Sequence, residues 1–485
     1  MMRIILVHPT GSNWIPGKKD LTATANRMVP LGLLSIAAYL EREGHRVYVH
    51  DCLGPEAVPD NSVNTKKILK YEPDLVGFSV TTSGFFDACD LASRIKAARP
   101  QTRIVFGGVH VSGMGSILLE RFEQIDALCM GEGEVTLAEL ASGERFDQIQ
   151  GLAWRDKGSV VTNPPRAHIP DMDTLPFPAY EKLDGFPRGY NLPLFSYIHT
   201  PGATMVTSRG CPYQCSYCDR SVFKRGYRFH SAEYIYEHMK YLRKRFNIRH
   251  INIYDDLFTA HRPRIQKLCE LLISRPLNIQ FNCAVRVGYA DDDLLDMLKP
   301  AGALQISLGI ESGDPDLLRV HKPGVYLEAV HDTVRRIRKK GLRVKGLFMM
   351  GLPGETVESI QKTSDFVIAL DLDDMNMSKF TPFPGAPVWK TIREEGTLDE
   401  DWRKMNCLNF VFVPNSIDSR ETLEQLYNTH VKRFYSDPRW RKKFRGRIWE
   451  HRKSIGYMLR HLPTFLMARR AFEPKKEGHD VKRKN

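Results

Sequence analysis

Along the first 145 residues, short apolar runs alternate with stretches whose apolar residues recur at helical spacing. The runs are Arg3–His8, Arg46–His50, Asp74–Val80, Arg103–Phe106 and Asp126–Met130, and the helical stretches are Leu31–Glu43, Ser83–Ala98 and Ser116–Phe122. Continuous apolar strands separated by helices predict a parallel sheet covered on both faces, a doubly wound α/β domain over residues 1–145. From 146 to 200 the periodicity fades among prolines such as Asn163-Pro164-Pro165 and Leu175-Pro176-Phe177-Pro178, which predicts an irregular connector. A second strand–helix series fills 201–400, with strands expected at Ala203–Ser208, His250–Tyr254, Ile279–Ala284, Leu304–Ile310, Arg343–Met349 and Met375–Thr381. Six β/α units predict a partial (β/α)6 barrel with its site at the carboxyl-terminal rim. Residues 401–485 read as helical.

Ligands of doubly wound sheets sit beyond the carboxyl ends of the strands. Five strands make this domain flavodoxin-like, and its strand ends carry Thr81-Thr82-Ser83-Gly84, Gly107-Gly108-Val109-His110 and Gly131-Glu132-Gly133-Glu134. Small residues there admit close approach of a bulky cofactor.

At 485 residues, with 42% hydrophobic and 26% charged residues, the chain exceeds one core and has the balance of a globular protein. Its net charge of +13 is concentrated: the segment from Arg439 onward holds 16 Lys and Arg against four Asp and Glu. A nearly neutral body excludes a broad nucleic-acid footprint. The basic end repeats Trp440, Phe444, Ile448, Ile455, Met458, Leu459, Leu462 and Leu466 near helical spacing. Such a helix either touches an anionic membrane surface peripherally or docks on the barrel with a solvated charged face. No apolar run reaches the roughly 20 residues of a membrane span. The amino terminus lacks a signal-peptide pattern, so a cytoplasmic protein is expected.

Of nine cysteines, three fall within eight residues, Cys211-Pro-Tyr-Gln-Cys215-Ser-Tyr-Cys218, just after the first expected barrel strand. Thiolates so close repel unless a metal centre neutralises them, and sulfur ligands select zinc or iron–sulfur clusters. Structural zinc takes four ligands, and no fourth stands nearby.

This triplet, with Tyr217 ahead of its last cysteine, resembles the motif of the radical S-adenosylmethionine (SAM) enzymes. The resemblance implies a 4Fe–4S cluster on Cys211, Cys215 and Cys218, whose open iron chelates SAM and cleaves it to a 5′-deoxyadenosyl radical. Further segments agree in order. Asp255-Asp256 resembles the acidic turn near the methionine amine, and Arg286 the basic residue facing the methionine carboxylate. Gly309-Ile310-Glu311-Ser312 resembles the segment that bonds the ribose or amine. Gly351-Leu-Pro-Gly-Glu355 resembles the turn shaping the adenine pocket.

The domain order further resembles the cobalamin-binding radical SAM enzymes, as do Asp171–Tyr180, Thr381–Gly385 and Phe434–Pro438. That implies cobalamin against Thr81, Thr82, Ser83, Gly107, Gly108, His110, Gly131, Glu132 and Gly133. The Asp-x-His-x-x-Gly pattern of many cobalamin enzymes is absent, since Asp51-Cys-Leu-Gly54 has no histidine. The implied activity is methyl transfer to an unactivated carbon of a small-molecule or lipid-like substrate, with flavodoxin or ferredoxin as reductant. Ring formation or oxidation, as in the chlorophyll-type cyclase, is the alternative. A tRNA methylthiotransferase would need a second cluster on Cys52, Cys89 and Cys129, whose apolar settings read as packing.

Overall fold

A computed structural model of the chain describes residues 1–11, 27–55, 57–58, 60–190 and 196–450. The first sheet comprises β1 (Arg3–His8), β2 (Arg46–Asp51), β3 (Leu75–Ser79), β4 (Arg103–Gly107), β5 (Ala127–Cys129), β6 (Leu152–Asp156) and β7 (Ser159–Thr162). Its order is β2-β1-β3-β4-β5-β6-β7. The five expected strands run parallel, and alternation divides their side chains between two cores. Ile4 and Leu6 of β1 pack with Leu33, Ala37 and Leu40 of the helix Leu31–Arg42. Ile5 and Val7 pack on the opposite face with Phe85, Ala88 and Leu91 of the helix Phe85–Ala98.

The β6–β7 hairpin corrects the expected connector. It joins the edge of β5 antiparallel, so the sheet continues past residue 145 to Thr162. Its two-residue turn, Lys157-Gly158, has both φ angles positive (49° and 88°), the geometry that matches strand twist.

The remaining strands are β8 (Gly202–Met205), β9 (Ser208–Arg209), β10 (Arg228–Phe229), β11 (His250–Ile253), β12 (Gln280–Val285), β13 (Ala303–Glu311), β14 (Arg343–Met350) and β15 (Asp374–Lys379), before the short β16 (Gly396–Leu398) and β17 (Phe412–Pro414). Strands β8 and β11 to β15 form a parallel six-stranded half-barrel in chain order. The expected first barrel strand stops at Met205; Ser208–Arg209 instead pairs antiparallel with β10. Side-chain caps from Ser231, Asp291 and Thr356 start the intervening helices sharply.

The carboxyl-terminal region is not helical throughout. β16 pairs with β17, and a 3-10 turn at Trp402–Lys404 anchors Trp402 against Phe86 and His110 of the first domain. Long helices occupy Arg420–Ser436 and Pro438–Glu450. The second of these docks on the barrel: Arg447 pairs with Asp373 at 2.9 Å, and Lys443 with Asp371. Trp440 stacks on Phe444. The docked alternative therefore holds up to Glu450, while Ile455 to Leu466 lie outside the described residues. Among the described residues no helix is long and apolar enough to cross a membrane.

Candidate active site

The concave face of the half-barrel encloses a cavity of about 820 Å³. Cys211, Cys215 and Cys218 line it together with Tyr217, Asp256 and Arg286. The cysteine loop leaves β9 through Gly210, whose φ of +83° suits glycine. It is pinned from below by His321, whose Nδ1 lies 2.6 Å from Ser216 Oγ and whose Nε2 lies 2.8 Å from the Pro353 carbonyl. Because that carbonyl only accepts, Nε2 carries the proton and the hydroxyl donates to Nδ1. Burial pushes the Cys211 thiol up, and that of Cys218 up to about 12. Ionising such thiols calls for bound positive charge. Among the described residues no three of His, Cys, Asp and Glu form a single-ion site. Three thiols arrayed around one cavity suit a cluster that takes one thiolate per iron.

The two acids of the turn after β11 separate in role. Asp255 is buried and accepts from Thr207 N and Oγ1, both at 2.5 Å, and from Ser208 Oγ at 2.7 Å, so it braces the strand end. Asp256 carries its carboxyl toward the cavity, and burial, then the charge of Asp255, raises its pKa. Arg286 lies 3.7 Å over the Tyr213 ring and donates to the Pro323 carbonyl at 2.7 Å. At Glu311 the backbone is left-handed, with φ +71°, where the β13–β14 register slips. Such a bulge re-aims a side chain, here into the cavity beside Lys322 Nζ at 2.7 Å. Gly309 makes room for that pair, since an added Cβ would lie 2.6 Å from Lys322 Nζ.

Three expected contacts stand behind the wall. Ser312 is fully buried, its hydroxyl 3.2 Å from Thr363 Oγ1. Glu355 accepts from the amides of Gly351 and Leu352, so both ends of that turn serve its shape; burial pushes the Glu355 carboxyl up to about 8. Sequence reading missed Tyr213, Lys322 and His321. Tyr213 alone stood within a recognised motif; the other two, the last residue of the helix Pro315–His321 and the residue after it, reach the site only through folding.

Beyond the carboxyl ends of β3 and β4 lies a slot of about 140 Å³. Gly107, Gly108, Gly131, Glu132 and Gly133 line it, whereas Thr81, Thr82, Ser83 and His110 do not. His110 is instead buried between Phe85 and Trp402, with ring centroids 4.8 and 4.6 Å away, and burial lowers its pKa to about 4. Its Nδ1 meets Thr82 Oγ1 at 3.2 Å. Glu132 lines the slot, yet its carboxylate binds Arg209 at 2.6 Å and Arg228 at 3.0 Å. Arg209 also holds Glu134 at 2.6 Å. This clamp joins the slot to the strand that feeds the cysteine loop. Arg209 and Phe223 line both the slot and a further cavity of about 160 Å³, which shares Tyr254 and Asp256 with the large one. Cys52 and Cys89 pack on one face of the first sheet and Cys129 on the other, so those three do not gather at one site.

Comparison with known proteins accords with this geometry. The sequence model of the Radical SAM superfamily matches residues 205–367, and that of the B12 binding domain matches residues 17–141. An uncharacterized methyltransferase of Pyrococcus horikoshii is 30% identical over 452 residues, covering 90% of this chain and 94% of that protein. The chain belongs to the cobalamin-dependent radical SAM enzymes. The anaerobic magnesium-protoporphyrin IX monomethyl ester cyclase of Rubrivivax gelatinosus is 25% identical over 444 residues, 90% of this chain and 77% of the cyclase. The radical SAM methyltransferase TsrM of Kitasatospora setae, solved with cobalamin and a 4Fe–4S cluster, superposes with a TM-score of 0.63 at 22% identity, over 81% of this chain and 75% of that one.

The cofactors of this radical SAM enzyme are a 4Fe–4S cluster, SAM and cobalamin. Its donor set fits them. Three cysteines face one cavity beside charged groups suited to an amino acid's two ends. The slot is apolar apart from the clamp, and a Cβ added at Gly131 would meet nothing within 4 Å, which leaves room for a flat group.

Proposed function

We propose that the protein is a C-methyltransferase acting on a carbon that no base in the site could deprotonate. When bound, the three cofactors supply reductive cleavage of a sulfonium, hydrogen abstraction and a methyl donor. Cys211, Cys215 and Cys218 hold the cluster. Asp256 receives the SAM amine and Arg286 its carboxylate, while Glu311, oriented by Lys322, accepts from the ribose hydroxyls. Gly107, Gly108, Gly131 and Gly133 flank the cobalamin tail. The protein's own contribution is to fix the reacting groups together and keep water out. The observation that carries this reading is the run of cavities from the slot, past Arg209 and Phe223, to the chamber lined by the three cysteines. It gives two cofactors access to one substrate. Likeness to the Rubrivivax gelatinosus cyclase supports a second reading, ring formation without methyl transfer.

The test uses protein reconstituted anaerobically with iron, sulfide and hydroxocobalamin, then desalted. Near-stoichiometric cobalt and transfer of label from methyl-labelled SAM are expected, with flavodoxin as reductant. Cys215→Ala should keep cobalt while losing the cluster's absorbance and SAM cleavage. SAM cleavage without retained cobalt would overturn methyl transfer and favour the cyclase chemistry.

A further inference from the structure

We infer that the substrate sets a polar, hydrogen-bonding group, and not hydrocarbon, against the floor of the barrel cavity, where Asn282 and Gln305 receive it. This rests on the reading of the cavity as the substrate chamber and names the substrate's class. Strand register places Asn252 beside Asn282 and Asn282 beside Gln305, so three carboxamides form one row across β11, β12 and β13. All three line the cavity and are buried, at 6%, 6% and 4% exposure. Asn282 Nδ2 donates to the Ser196 carbonyl at 2.6 Å and to Asn252 Oδ1 at 2.8 Å. A carbonyl can only accept, which fixes the amide orientation and leaves Oδ1 as the remaining group. That oxygen has no partner. The Gln305 side chain makes no hydrogen bond among the described residues.

Buried amide groups without partners cost roughly 1–3 kcal/mol each once water is displaced. A lipid chain on this floor would leave both groups dry. A ligand with an N–H or O–H for Asn282 and an adjacent polar atom for Gln305 satisfies them. The next row continues the character, with Ser307 beside Lys345, whose ammonium lies 3.1 Å from Asp374. The floor therefore fits a water-soluble metabolite bearing an amide or hydroxyl group.

Saturation-transfer NMR on the reconstituted enzyme with SAM and no reductant tests this, using 2-pyrrolidone and its hydrocarbon counterpart cyclopentane. The lactam should receive saturation and cyclopentane should not. Gln305→Leu should lower the lactam signal at least about fivefold, the equivalent of one hydrogen bond. A silent lactam, or saturation of cyclopentane, overturns the inference, and the two probes on the unsubstituted enzyme decide it even where the variant misfolds. The readout is independent of methyl transfer: failure of the methyltransferase reading shows as unlabelled product in the cobalt-loaded enzyme while the lactam still binds.

Discussion

At the scale of single residues, the site depends on a glycine more than its motif suggests. Gly309 sits where an added Cβ would lie 2.6 Å from Lys322 Nζ and 2.9 Å from Glu311 Oε1. Both are ends of flexible side chains, so Gly309→Ala should fold with little loss of stability. The lysine must leave Glu311, however, and the carboxylate loses the partner that orients it. SAM affinity should fall about tenfold, or about 1.4 kcal/mol, by equilibrium dialysis. Unchanged affinity would mean that Glu311 does not contact SAM. The sequence made Gly309 and Glu311 legible because they belong to a short motif. It hid Lys322, which comes into reach only when the helix Pro315–His321 folds back. His110 shows the opposite error: a histidine beside glycines at a strand end looks like a ligand contact, and nothing local reveals that Trp402, almost 300 residues on, covers it.

At the scale of elements, strand order was readable because parallel strands buried on both faces leave continuous apolar runs. The β6–β7 hairpin was not, because its strands are short, half-exposed and run straight into Pro164-Pro165. Nor was the clamp between domains, since charges on a strand and on a distant helix start carry no shared spacing. Arg209 stands two residues before Cys211 and holds Glu132 and Glu134, whose side chains are only 4% exposed. Removing the guanidinium leaves buried carboxylates poorly paired, a loss of about 3–5 kcal/mol in comparable settings. Arg209→Gln should therefore lower Tm by roughly 5–10 °C. Cobalamin should also be lost on desalting, because the slot and the cysteine loop are no longer held together. A further change of Glu132 and Glu134 to Gln should recover part of the Tm. If it recovers nothing, Arg209 acts through packing and not through its charge.

At the scale of the whole molecule, several buried histidines lie at seams. His110 lies under Trp402, between the first domain and the region after the barrel. His230 and His238 meet Asp173 and Phe177 where the connector crosses the barrel, and His430 is buried on the helix Arg420–Ser436. Burial holds His110, His230 and His430 at about 4, and His238 and His250 at about 3. The unfolded chain protonates these groups near 6.5, so below that pH it binds more protons than the native state and stability falls as pH falls. Each histidine contributes a slope of about 1.4 kcal/mol per pH unit once its unfolded form is fully protonated. Burial raises Asp87, Asp255, Asp256 and Glu355, and these work in the opposite sense above the ordinary carboxylate range. Glu355, held at about 8, opposes by close to one proton between about pH 7 and pH 5 against five histidines, so the net loss should be steepest once those histidines are protonated in the unfolded chain, between about pH 6 and pH 5. Thermal denaturation at pH 7, 6 and 5 should show a falling Tm, and His238→Phe, stacked on Phe177, should flatten the slope by about one proton. A Tm that rises on acidification would show that the carboxylates dominate. A falling Tm accompanied by loss of cobalamin before loss of helix would place the weakest contacts at the domain seams, where the slot meets the cysteine chamber.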